Sequence, residues 1–158
     1  MLTASSHHDL LKKWIAAILW IGVICIESTE LMSSANTGSF IYSLLVPIFG
    51  HIDPMKFGEF HAVLRKVGHF AGYGILSFLL FRTWRATVKR SSRWAFVWAV
   101  VSFFMTALVA SLDEWHQMFL PSRTGTYHDI LLDSFAALCV QVALFLILRN
   151  RHARASTA

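Results

Sequence analysis

The chain has 158 residues, enough for one domain spanning 1–158. Of these, 56% are hydrophobic and only 15% charged, where a soluble protein has about a quarter, and a mean hydropathy of +0.55 excludes a soluble fold with its apolar surface hidden from water. The net charge of +5 would suit nucleic acid, but the basic residues flank apolar runs and form no stripe with interleaved aromatics, so nucleic-acid binding is excluded as well.

The apolar runs predict an all-α, polytopic membrane protein with four transmembrane helices in a bundle. A spanning helix needs roughly 20 mostly apolar residues. The first run covers residues 14–32, interrupted late by Glu27 and Glu30. It follows Lys12 and Lys13 and resembles a signal peptide. The two glutamates would fall between the apolar stretch and any cleavage site, so it reads as an uncleaved helix. Residues 40–49 are apolar but too short to span and contain Pro47, which predicts a short interfacial or re-entrant element between helices 1 and 2. Asp53-Pro54 reads as a turn or a helix start. The remaining spans are expected at 67–84, 94–112 and 130–148. Cys25 and Cys139 lie inside apolar runs with no metal-ligand spacing and read as small buried hydrophobes.

Basic residues set the orientation. Lys12, Lys13, Arg82, Arg85, Lys89, Arg90, Arg93, Arg149, Arg151 and Arg154 fall on the side of the termini, and Lys56, Arg65, Lys66 and Arg123 on the other. This predicts both termini in the cytoplasm. Glu27, Glu30, Asp53, Glu59, Asp113, Glu114, Asp129 and Asp133 then gather at or toward the outer face, where a functional site would account for them.

Three segments meet at that face. The second span begins with Lys66, His69 and Tyr73. The third ends with Asp113, Glu114, His116 and Gln117. A linker carrying Pro121, Ser122 and Arg123 leads to His128, Asp129 and Asp133 at the start of the fourth. His69 and Tyr73 are i,i+4, as are Asp129 and Asp133, while Asp113–His116 and Glu114–Gln117 are i,i+3 if the helix continues that far. Ionisable groups in spans usually face a bundle interior or a water-filled cavity and often mark function. The plainer alternative is interfacial carboxylates in water and interhelical hydrogen bonds.

The pattern Lys66-x-x-His69-x-x-x-Tyr73, with Asp113-Glu114-x-His116-Gln117-x-Phe119-x-Pro121-x-Arg123 and then Asp129, resembles the VanZ-like membrane proteins over residues 14–148. Two positions depart from the usual pattern: Ser122 stands where Gly often precedes the Arg, and Asp133 where Asn is common. The resemblance implies a protein of the bacterial inner membrane connected with the cell envelope, in a family whose named member gives low-level resistance to the glycopeptide teicoplanin. A second likeness is to lipid phosphatases of the PAP2 type, through Ser122-Arg123, His128 and Asp133, with His128 one residue early.

Two function classes follow. In the first, the outer-face site is an enzyme acting on a lipid-linked phosphate or cell-wall precursor. His69, Asp113, Glu114, His116 and Asp129 are the catalytic candidates, with His69, His116 or His128 as nucleophile or general acid–base. Lys66, Tyr73, Gln117, Arg123, His128 and Asp133 are the substrate-binding candidates, Lys66 and Arg123 for an anionic head group. A divalent metal held by His69, Asp113, His116, Asp129 and Asp133 is a variant of this class. In the second, the same cavity binds an envelope lipid, an antibiotic or a partner protein without chemistry. The expected partners are membrane lipids and a lipid-linked precursor. Homo-oligomerisation is left open, and a transporter would require it, since four spans are few.

Overall fold

In a computed structural model, residues 4–88 and 95–155 are described, with side chains over 7–88 and 95–148. Among them are five α-helices and no strand: α1 (Ala4–Glu27), α2 (Ser34–Phe49), α3 (Pro54–Thr87), α4 (Phe96–Gln117) and α5 (Tyr127–Ala155). A 3-10 turn at Glu30–Met32 joins α1 to α2. The expected start of the third span at Trp94 lies outside the described residues, as do Lys89, Arg90 and Arg93 and the side chains of Arg149, Arg151 and Arg154.

Four membrane-crossing helices were expected, and two of the five helices are long and apolar enough by themselves: α4, and the Tyr127–Leu148 part of α5. Only 22% of each is buried, so neither is the core helix of a soluble protein. The reasons α1 and α3 fall short are local. Lys12, Lys13 and Glu27 leave α1 only residues 14–26 free of charge. In α3, His69, Tyr73, Ser77 and three glycines dilute the apolar run between Lys66 and Arg82. Both helices nonetheless turn large apolar side chains outward, among them Ile18, Leu19 and Ile26 on α1 and Phe70, Ile75 and Phe78 on α3.

On α3 the buried face includes Leu76, Leu80 and Phe81, whereas on α4 it is small or polar and the exposed face apolar. On α4 the buried stripe is Ala99, Ser102, Thr106, Ala110, Asp113, Glu114 and Gln117. Phe104, Leu108, Leu112 and Trp115 point out. Ser102 and Thr106 satisfy their hydroxyls on the carbonyls one turn back, Trp98 and Ser102. Where lipid replaces water outside, small residues bring helices close and polar groups join them.

α3 is the central helix, packed against α1, α4 and α5. At its interface with α5, Ala136 and Ala137 are fully buried, and a Cβ on Gly74 would already meet Val140 at 3.4 Å. Gln141 Nε2 donates to Ser77 Oγ at 2.8 Å and to Ser77 O at 3.2 Å. α1 runs antiparallel to α3: Thr83 donates to Lys13 O at one end, and Trp20 Nε1 to Gly72 O at 2.8 Å further along. At the Lys13 end, Trp14, Trp84 and Trp98 form an aromatic cluster, with Trp84 stacked on Trp98 at 5.7 Å.

The element between spans one and two is longer than expected: α2 is a full helix of 16 residues. At 1.5 Å per residue it reaches about 24 Å, still short of a bilayer core of ~30 Å. Ser33 caps it, accepting from Asn36 N. Gly50, at φ +74, ends it in the left-handed region. Of the two readings of Asp53-Pro54, a turn or a helix start, the structure has the helix start: Asp53 Oδ1 accepts from Met55 N and Lys56 N, and Pro54 takes the first helical position. α3 thus begins 13 residues before the predicted span. Its extra turns carry α2 through Tyr42–Phe57 ring contact, Phe57–His61 stacking and a 3.2 Å contact between Thr37 Oγ1 and His61 Nε2.

Candidate functional site

α3, α4 and α5 bring their polar residues together at the end where α1 stops. A cavity of about 220 Å³ lies there, with Arg65, Lys66 and His69 on one wall, Glu114 and Gln117 on another, and Arg123 and Asp129 closing it. Ser122, Thr124 and Ser34 also border it. On the other side of His69 and Arg123 is a second cavity of about 190 Å³, lined by Glu27, Thr37, His61 and Arg65.

The floor is a set of buried carboxylates. Tyr73 donates its hydroxyl to Asp113 Oδ2 at 2.7 Å, leaving Asp113 Oδ1 without a partner. His69 Nδ1 stands 3.5 Å from Asp133 Oδ2. Asp133 is fully buried and its Oδ1 is also unpartnered. Glu114, buried at 1% exposure, accepts from the Thr126 amide at 2.8 Å. Asp113, Glu114 and Gln117 all face inward because α4 continues as helix through Gln117 rather than ending at Leu112.

The linker is held by its own chemistry. Thr126 and Asp129 make a reciprocal cap at the start of α5: Thr126 Oγ1 donates to Asp129 Oδ2 at 2.8 Å and accepts from Asp129 N at 3.3 Å. Gly125 passes so close to the end of α4 that a Cβ would fall 2.2 Å from Glu114 O. Arg123 is buried, and its guanidinium donates to the carbonyls of Glu27 and Thr29, where α1 ends. Burial, and then Arg65, lower the Arg123 pKa, while Asp113 and Glu114 oppose the shift. Arg65 donates to Met32 O at 3.0 Å. The two arginines therefore stitch the α1–α2 turn to the cavity wall. Lys66 is exposed and has no hydrogen-bond or ion-pair partner among the described residues.

Of the residues singled out from sequence, Lys66, His69, Glu114, Gln117, Arg123 and Asp129 line the main cavity. Tyr73 and Asp113 border a small adjoining pocket beside His69 and Glu27, and Asp133 lies beneath His69. Two histidines are not brought in. His116 is exposed and its Nδ1 contacts Ser28 Oγ at 3.0 Å. His128 is exposed, with its ring against Tyr127 at 3.9 Å. The PAP2-type arrangement of Arg123, His128 and Asp133 is therefore not assembled, and the metal variant that included His116 is not assembled either. Arg65 was not among the sequence candidates, and Glu27 was one by its position alone. Arg65 could have been found, since it lies one turn before His69.

A family model described as VanZ/LLP1 matches residues 13–149. The chain belongs to the VanZ/LLP1 family. No curated protein and no solved structure matches it. The VanZ/LLP1 match and the two apolar helices together point to a membrane protein, and the described helices lie across the matched region.

Proposed function

We propose that this VanZ/LLP1 protein crosses the bacterial inner membrane four times, through α1, α3, α4 and α5, with both termini cytoplasmic. Its outer-face cavity then binds, and acts on, the phosphate-bearing head group of a lipid-linked cell-wall precursor. The observation that carries this reading is the cationic rim: Lys66, without a partner of its own, stands with Arg65 and Arg123 around a cavity whose floor is His69, Glu114 and Asp133. A lysine ammonium is a mobile point charge suited to phosphate. At about 220 Å³ the cavity is smaller than drug-sized pockets of 300–1,000 Å³. It suits a head group, with the lipid chain left among the exposed apolar faces of the helices. The polar floor would activate water or a hydroxyl against the bound phosphate. Teicoplanin-type resistance would follow from a change in the supply or form of such a precursor.

The second reading, a binder without chemistry, is favoured by one observation: of the three candidate histidines only His69 lines the cavity. The experiment that separates the two incubates purified protein with a panel of polyprenyl phosphates and pyrophosphates and follows phosphate release. Release that is lost in Lys66→Ala supports the enzyme, whereas saturable binding with no product leaves the binder. Sidedness is tested by Thr124→Cys in a Cys25→Ser, Cys139→Ala background. Labelling by a membrane-impermeant reagent on whole cells is expected, and labelling from inside only would contradict the orientation.

A further inference from the structure

Three carboxylates are buried where α3, α4 and α5 meet, and the groups around them do not balance their charge. Asp133 is fully buried with Oδ1 unpartnered, and Asp113 Oδ1 is unpartnered too. Glu114 has the Thr126 amide on one oxygen. Among the described residues, the ion pair at this cluster is His69–Asp133. Arg123, the buried cation among the described residues, gives its hydrogen bonds to the carbonyls of Glu27 and Thr29 and meets Asp113 and Glu114 through charge alone. A carboxylate removed from water needs a cation or a proton.

His69, Glu114 and Asp133 each present a ligand atom, and these three atoms lie within 4.8 Å of one another. The 3.5 Å between His69 Nδ1 and Asp133 Oδ2 is long for a hydrogen bond. It is close to the roughly 3.3 Å that separates two ligands held ~2.05 Å from a tetrahedral ion. An imidazole with two carboxylates suits zinc or manganese, whereas magnesium favours oxygen ligands and retained water.

We propose that His69, Glu114 and Asp133 form a binding site for a divalent transition-metal ion of the zinc class, with its open coordination positions toward the 220 Å³ cavity. His69 and Glu114 both line that cavity. Three protein ligands with a free fourth position are the arrangement of sites that bind water or a phosphate oxygen. The ion offsets the buried negative charge. It also gives the floor a centre that can polarise a phosphoryl oxygen, which a single histidine in the cavity does not. This deepens the proposed reading and rests on the same cavity, but it does not require that the head group be a phosphate.

The test uses the full chain in detergent without a histidine tag. His7 and His8 are exposed and adjacent, so both are replaced by alanine to remove a competing site. The protein is stripped with a chelator and titrated with zinc chloride alone, following heat, bound metal by elemental analysis, and Tm. One zinc per chain and a rise in Tm are expected. His69→Ala, Glu114→Gln and Asp133→Asn should each weaken binding by at least ~10-fold, the lower end of what loss of even an outer partner brings. His51→Ala, at an exposed turn, should not. Magnesium should bind more weakly than zinc. The inference is overturned if the parent chain takes up no zinc, or if the three variants bind it as tightly as the parent. Should a variant fail to fold, the parent titration decides alone. Zinc uptake without binding of polyprenyl phosphate would remove the head-group reading only, and phosphate-lipid binding without zinc uptake would remove this one only.

Discussion

His69 on α3 lies opposite Asp133 on α5, and eight residues further along both helices Ser77 lies opposite Gln141. α3 and α5 thus run parallel in a register marked twice by polar pairs. The Ser77–Gln141 pair is satisfied at 2.8 Å, with only Gln141 Oε1 left over. The His69–Asp133 pair is longer and leaves Asp133 Oδ1 orphaned. One pair holds the helices together, and the other retains unused polar capacity beside a cavity.

That difference predicts a separation of stability from function at the His69–Asp133 pair. A buried ion pair is weak evidence for stability: replacing both partners together is often neutral or favourable by about 1–4 kcal/mol, whereas removing one and stranding the other's charge costs about 3–5 kcal/mol. In chelator-treated protein, the double variant His69→Leu, Asp133→Leu should therefore unfold at the same temperature as the parent or higher, as followed by thermal denaturation in detergent. The same double variant should lose phosphate release. A fall in its stability of more than ~3 kcal/mol would mean the pair is a structural strut.

Gly125 gives a sharper structural prediction. Its missing side chain lets the linker lie on the last turn of α4, and alanine would put a Cβ 2.2 Å from Glu114 O. Backbone cannot yield as a flexible side chain can, so Gly125→Ala should cost about 1–3 kcal/mol and shift the Thr126 amide from Glu114. Gly58 is the control, because nothing lies within 4 Å of its added Cβ. Gly58→Ala inside α3 should be neutral or stabilising by ~0.5–1 kcal/mol. Paired Tm measurements check both.

The contact between α2 and α3 should weaken in acid. Burial, and then the charge of Arg65, hold the His61 pKa below its ordinary value of 6.5. The unfolded state therefore takes up this proton first as the pH drops. The stability tied to neutral His61 is whole above pH 6.5 and is lost as the pH falls below it through the folded-state pKa. Proteolysis at the 50–53 turn should be faster at pH 5.5 than at pH 7.5 when protease activity is matched. His61→Phe, which keeps the ring against Phe57, should flatten that difference. Equal pH dependence in the variant would assign the effect elsewhere.

Much of this architecture could be read from the sequence, and what could not has physical causes. The apolar runs located four of the five helices, because hydropathy reports what a helix face must meet. The first 13 residues of α3 were not seen as part of it. They carry Lys56, Glu59, Arg65 and Lys66, and a hydropathy threshold stops at the first charges although the helix does not. Motif spacing gathered Lys66, His69, Glu114, Gln117, Arg123 and Asp129, yet it could not aim side chains. His116 sits one residue from Gln117, about 100° around the helix, and that angle turns it out toward Ser28 while Gln117 turns in. The role of Arg123 was equally hidden. Its charge suggested a head-group ligand, but one terminal nitrogen of its guanidinium donates to the carbonyls that end α1 while its Nε is unpartnered, and Lys66 is the cation of the rim with no hydrogen-bond or ion-pair partner among the described residues. Arg65 shares the inward face of α3 with His69 and Tyr73, and periodicity applied past the motif would have included it.

The central claim, that the Lys66-rimmed cavity receives a phosphate-bearing lipid head group, is tested most directly by binding. Purified protein in detergent is titrated with a polyprenyl phosphate and, separately, with the matching polyprenol. The account predicts saturable binding of the phosphate, weakened roughly 10-fold or more by Lys66→Ala, as loss of a charge-assisted hydrogen bond would do, with little binding of the alcohol. Equal affinity for phosphate and alcohol, or binding that Lys66→Ala leaves unchanged, would contradict it.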